Sequence, residues 1–147
     1  MANVVYNNFK GEVMKGTFNL HTGGNTVKIA LLNSTYSVDV DAHTQWCHVK
    51  DKEVSGTGYT AGGKTLANQV VSVDNTDNKG VFDADDVTWS SATITARYAV
   101  IYKYIDNAGS PADTSPLICL IDFAADQTST NGDFTITFDA EGILNLG

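Results

Sequence analysis

An all-β fold, mainly antiparallel and arranged as a β-sandwich or in a jelly-roll-like manner, is predicted by three observations. Two prolines occur in 147 residues, while Gly, Thr, Ser, Asn and Asp are plentiful, a mixture that favours turns and caps over long helices. Apolar and polar residues alternate with a period of two over several stretches. Helical periodicity is confined to the front of the chain, where one or two short helices are expected.

The first element is a short helix, because Val5, Phe9 and Val13, with Met14 beside them, recur at helical spacing before Gly16, a candidate C-terminal cap. "TVKIALL" at residues 26–32 is uniformly apolar and reads as a core strand. "DAHTQWCHV" at residues 41–49 could supply a second turn of helix with Asp41 as its N-cap. The β-branched "LANQVVSV", the polar "DNTDNKG" and the resumed "VFDA" predict a hairpin over residues 66–84. "SATITARYAVIYKY" at residues 91–104 is the clearest strand. Ala92, Ile94, Ala96, Tyr98, Val100 and Tyr102 share one face, and the other turns apolar at Ala99 and Ile101. It should therefore be central and covered on both sides near its end. "LICLIDF" at residues 117–123 reads as a short core strand ended by Asp122, and "FTITF" at 134–138 as a separate strand after an "NGD" turn. Phe134, Ile136 and Phe138 should pack against Ile94, Val100 and Ile121. Residues 1–147 read as one domain without repeat or linker.

One motif competes with this reading. Gly58 to Thr65 spells G-x-x-x-x-G-K-T, the pattern of a phosphate-binding loop, and Asp122 ends an apolar run as a magnesium-holding strand would. Such a loop works only when a buried strand enters it and a helix leaves it. Here the charged "HVKDKEVSGT" precedes and a β-branched run follows. Gly56, Gly58, Gly62 and Gly63 are expected instead to permit positive φ in a tight loop between strands.

Seventeen acidic against nine basic side chains give a net charge of −8, which repels nucleic acid and anionic membranes. Two cysteines make no disulfide framework, no apolar run approaches a bilayer span, and "MANVVYNNFK" lacks a signal h-region. A reducing compartment is expected, where the "NST" sequon at residues 33–35 stays unmodified.

Candidate chemistry is sparse. His43, Cys47 and His48, with Cys119, could be zinc ligands, but their spacing fits no common zinc module, and packing is the expectation for both cysteines. The acidic stretch "DNTDNKGVFDADD" at residues 74–86, from Asp74 to Asp86, evokes a calcium loop, yet aligning Gly80 with the loop glycine puts Lys79 at a ligand position. Asp83, Asp85 and Asp86 could offer a carboxylate pair for glycoside hydrolysis, with no carboxyl separation fixed by sequence. No catalytic residue, cofactor or metal site is expected.

The succession "YNNFKGEVMKGTFNL", "VKIALLNSTYSVDVDAHTQW", "EVSGTGYTAGGKTLANQVVSVD", "FDADDVTWSSATITARYAVIY" and "SPLICLIDFAADQTSTNGDFTITFDAEGILNL" resembles a family of small tailed-bacteriophage virion proteins, with "GTGYTAGG", "FDADDVTW" and "NGDFTI…GIL" the more distinctive blocks. The similarity spans nearly the whole chain. It implies a β-rich particle component without enzymatic role, made in the host cytoplasm and carried on the virion. The leading expectation is a capsid decoration or cement protein that binds the major capsid protein between capsomers, as a homo-oligomer with a trimer favoured. A fibre module binding a host receptor is the alternative, in which Trp46, Trp89 or Tyr59 would stack on sugars. Attachment is placed at Val4, Val5, Tyr6 and Phe9, unless this N-terminal segment packs on its own sandwich.

Overall fold

A computed structural model describes residues 4–147. Strands take up 47% of the chain and helix 10%, which fixes the class as mostly β, with antiparallel sheets packed in a manner consistent with a β-sandwich. The larger sheet has the order β1 (Val4–Val5), β9 (Leu117–Ile136), β6 (Val87–Lys103), β2 (Val27–Leu32) and β3 (Lys64–Thr65). The smaller has the order β10 (Leu144–Leu146), β5 (Lys79–Asp83) and β4 (Val70–Asp74). A two-residue turn at Ala108 and Gly109, both with positive φ, joins β7 (Asp106–Asn107) to β8 (Ser110–Pro111).

Alternation within the strands builds two apolar layers. Val27, Ile29 and Leu31 of β2, Ala99 and Ile101 of β6 and Ile118 and Ile121 of β9 face Phe82 and Leu144 of the small sheet and Phe9 of helix α1 (Asn7–Met14). Ala30, Leu32, Val100, Tyr102, Leu117 and Leu120 face the other way, onto Tyr36, Trp46 and Val49 of the connecting segment. The end of β6 is thus covered on both sides, as its sequence predicts.

The distal halves of β6 and β9 form a long ribbon interrupted by register shifts. Main-core residues in β6 fall at Val87, Trp89, Ala92, Ile94, Ala96, Ala99 and Ile101, so the step of two becomes three after Trp89 and again after Ala96. The first change is a bulge on β6 with Ser91 at φ 50°, and the second lies opposite residues 123–126 of β9, where Ala124 has φ 64°. Two expectations are corrected here. "NGD" is not a turn: Asn131, at φ 47°, absorbs a bulge opposite Ala92 and Ile94, and β9 continues to Ile136. Nor does Asp122 end a strand. It pairs with Tyr98 inside β9 and accepts a 2.7 Å hydrogen bond from Nε of Arg97, which holds its carboxyl below the usual range.

Phe134, Ile136 and Phe138 are buried with Ile94 and Ile121 as expected, whereas Val100 lies in the opposite layer, on the other face of β6 from Ala99 and Ile101. Ile136→Ala should therefore cost about 2–5 kcal/mol in chemical denaturation, the range for truncating a large core aliphatic. An unchanged denaturant midpoint would remove Ile136 from the core.

Helix α1 ends as predicted: Gly16 has φ 77°, its N–H donates to Val13 and that of Thr17 to Glu12, the paired bonds of a Schellman cap. The second helical segment is smaller than expected. Only Trp46–His48 and Lys50–Lys52 form 3-10 turns. The N-cap is Gln45, not Asp41, because the His48 side chain returns to the Gln45 backbone in a capping box. The hairpin predicted over residues 66–84 is present but shorter, pairing Val70 with Asp83 through Asp74 with Lys79.

Candidate functional site

The glycine-rich loop is a structural clamp. Gly56, Gly58, Gly62 and Gly63 all have positive φ, and Lys64 enters β3 rather than a helix. Its Nζ donates to the carbonyl of Thr88. Glu53 holds the loop from inside, with Oε1 accepting from the Tyr59 hydroxyl at 2.7 Å and from the Gly62 N–H at 2.6 Å. Tyr59 Oη accepts from the Leu31 N–H, and Tyr102 donates to the Gly62 carbonyl at 2.6 Å. Within the G-x-x-x-x-G-K-T string the Gly62 N–H thus goes to Glu53 and its carbonyl to Tyr102 of β6, the Gly63 N–H goes to the Thr60 carbonyl, and Lys64 and Thr65 pair with β2.

Burial raises the Glu53 pKa above the ordinary glutamate value of 4.5, against the lowering effect of its two hydrogen bonds. A carboxyl whose folded pKa is raised contributes stability below the unfolded pKa and loses it as pH climbs through the folded value. Glu53→Gln keeps an oxygen for both donors and removes the charge. Relative to wild type, that variant should gain stability as pH rises from about 4.5 toward neutrality. Unfolding free energies of the two proteins across this range provide the check, and a constant difference would contradict the burial assigned to Glu53.

Among the described residues the His43, Cys47, His48 and Cys119 candidates form no ligand cluster, although the His43 and His48 rings stack at 5.7 Å between centroids. Cys119 is fully buried in the core and its thiol is pushed up to about 12, so it supplies no thiolate for a metal or a substrate. His43 Nδ1 bonds the Tyr36 hydroxyl at 2.9 Å, and Tyr36 in turn bonds the buried Tyr6 hydroxyl at 2.9 Å. His48 Nδ1 accepts from the Thr44 and Gln45 N–H groups. Both histidines thus serve local folding. Asp85 accepts from the Asn68 amide, Asp86 from the Phe138 N–H and Asp83 from the Ala84 N–H. Asp74, Asp77 and Glu141 do bring carboxylate oxygens together, but Lys79 Nζ sits among them, at 2.6 Å from Glu141, 3.2 Å from Asp77 and 4.0 Å from Asp74. A lysine ammonium already holds the position a cation would take.

The N-terminal segment is built into its own fold. Val4 and Val5 pair with Leu120 and Cys119 along β9, Tyr6 is fully buried in one layer, and Phe9 is fully buried in the other. The expectation that Tyr6 and Phe9 anchor a neighbour is corrected by this burial, since neither ring is offered at the surface. Residues 1–3 of that segment lie outside the described residues. Trp46 and Trp89 are 4% and 1% exposed, so they present no sugar-stacking face.

A few large apolar side chains are exposed. Val70, Val71 and Val73 of β4, Leu146 of β10 and Met14 of α1 are exposed. In the small sheet Val71, Phe82 and Leu144 stand side by side on the core-facing side, and the next row is Val73, Gly80 and Leu146. Gly80 leaves a notch between two exposed side chains. Val71, Gly80 and Leu146 line one side of a groove of about 290 Å³ whose other wall is Phe9, Val13, Phe18 and Leu20. β4 is fixed along this edge by loop contacts: Gln69 Nε2 donates to the carbonyls of Leu20 and Asn25, and the Val71 N–H donates to His21 Nδ1. The groove is therefore held by strands and by a tethered loop.

Comparison of the chain with protein-family models, with curated proteins and with solved structures gives no match in any of the three. The sequence signal for the groove was the β-branched run at residues 70–73 facing a glycine, legible only once the register is known.

Proposed function

We propose that this protein is a structural component of a tailed-bacteriophage virion, a decoration protein that binds between capsomers and stabilises the mature head. The observation that carries the reading is the exposed pair Val73 and Leu146 on either side of Gly80, with Leu146 and Gly80 lining the apolar groove, on a chain whose candidate carboxylates Asp83, Asp85 and Asp86 are engaged in folding contacts. The resemblance of its sequence blocks to small virion proteins supplies the particle as the setting. A net charge of −8 accords with a partner other than nucleic acid.

Shell stabilisation follows from mass action. A protein that binds only the assembled shell stabilises it by RT ln(1 + [L]/Kd), about 2.7 kcal/mol at one hundred times Kd. A trimer seated on a three-fold position would add avidity, because later contacts become intramolecular. Heating particles with and without the added protein tests this: release of packaged DNA should move to higher temperature with it. Identical release curves at saturating protein would contradict the proposed role.

A further inference from the structure

We propose that the hollow along the outer side of β9 is a binding site for a neutral sugar, one hexopyranose ring in size. The proposal goes beyond the decoration role and does not depend on it. β9 pairs with β1 only at Cys119 and Leu120, so over residues 123–136 its one partner strand among the described residues is β6. A hollow of about 450 Å³ lies on this strand, and its lining falls within residues 121–137 with none from β6. It therefore opens on the side of β9 away from β6. Its volume is inside the range of roughly 300–1,000 Å³ that holds small ligands.

The lining excludes the other occupants in turn. Among the described residues it holds no lysine, arginine or histidine, and Asp133 stands exposed in it on a chain at −8, which turns away phosphates and carboxylates. A wholly apolar ligand would strip water from Asp133 and Gln127 and return no hydrogen bond. A cage for an organic cation needs several open rings, whereas Phe123 is half-buried and Phe134 only 7% exposed. An added strand, foreign or from a second copy, needs a regular edge. Ala124 and Asn131, both with positive φ, break this one on either side of residues 127–130.

What fits is a neutral ring with an apolar face and hydroxyl groups around its rim. Phe123 supplies a flat surface for the C–H face, steadied by Phe134 at 6.1 Å between ring centroids. Thr128, Ser129 and Thr135 already bond β6, through Thr95, the Ala92 carbonyl and Thr88. Gln127 and Asp133 are left for a ligand: the Gln127 amide reaches only the Ala125 carbonyl, at 3.5 Å, and the Asp133 carboxylate has no partner among the described residues. An amide and a carboxylate beside one aromatic ring offer both donors and acceptors, and sugar hydroxyls, each a donor and an acceptor, satisfy both.

The test titrates the full chain with methyl β-D-glucopyranoside, methyl β-D-galactopyranoside and methyl α-D-mannopyranoside, followed by backbone amide NMR shifts. Each is taken to about 50 mM, because one ring in an open hollow should bind with a Kd in the millimolar range. The amides of Phe123, Gln127 and Asp133 should shift and saturate with at least one of the three. Asp133→Ala removes no hydrogen bond of the fold, so it should leave the thermal midpoint within a few degrees of wild type and raise that Kd at least about tenfold. Phe123→Leu keeps apolar bulk against Phe134 and removes the flat face, and it should weaken binding in the same way. No saturating shift with any of the sugars, or saturation that Asp133→Ala leaves unchanged, would overturn the site. Tetramethylammonium chloride moving the same amides at lower concentration than every sugar would overturn the neutral chemistry in favour of a cation. A concentration-dependent dimer that protects the amides of residues 127–130 from exchange would put a second copy's strand there and overturn the proposal as well.

Discussion

Gly63→Ala is expected to destabilise the protein by more than about 4 kcal/mol, or to leave none of it folded, which puts it in the rare upper tail of single substitutions. Two causes add. Gly63 has φ 76°, where an L side chain costs about 1–2 kcal/mol. A Cβ built there also lies well inside contact distance of the Ile29 carbonyl oxygen and close to the Ala30 Cα, both backbone atoms of β2 that cannot rotate aside. Gly109→Ala isolates the first cause, because Gly109 has φ 86° and no atom within 4 Å of its would-be Cβ. It should cost only about 1–2 kcal/mol. Denaturant melts of the two variants side by side measure the difference, and equal losses would mean that the glycine loop does not press on β2.

Phe9→Ala should cost about 3–5 kcal/mol, the range for removing a buried aromatic ring. Phe9 is fully buried and meets Phe18 edge-on at 4.8 Å between ring centroids. In a domain of this length such a loss lowers the thermal midpoint by on the order of 10 °C. Removing residues 2–9 should lower it further, since Tyr6 and the pairing of β1 with β9 go too. A truncated protein that melts like wild type would return the segment to the surface and reopen it as an arm.

Those same residues show what the sequence could and could not tell. The helical spacing of Val5, Phe9 and Val13 was legible and the helix is there, but an apolar cluster at a chain end reads alike whether it covers its own core or a neighbour's. Tyr6 and Phe9 straddle the sheet edge, one ring in each apolar layer, an arrangement set by tertiary packing alone. The alternation in β6 identified a central strand, yet it could not place Ala92 and Ala99 in the same layer, since that depends on the backbone at Ser91 and across from Ala124. Asn131 and Gly132 carry the chemistry of a hairpin turn, and the fold uses the positive φ of Asn131 for a bulge inside a long strand. The exposed face of β4 was the least legible. Val71 and Val73 are as β-branched as any core strand, and only pairing with Phe82 and Gly80 shows that one stands over the core and the other beyond it.

The proposed role is tested most directly by the copy number of the protein in purified virions, measured by quantitative mass spectrometry against the major capsid protein. A decoration protein should approach the number of capsid subunits or of local three-fold positions. A handful of copies per particle, or none, would contradict it.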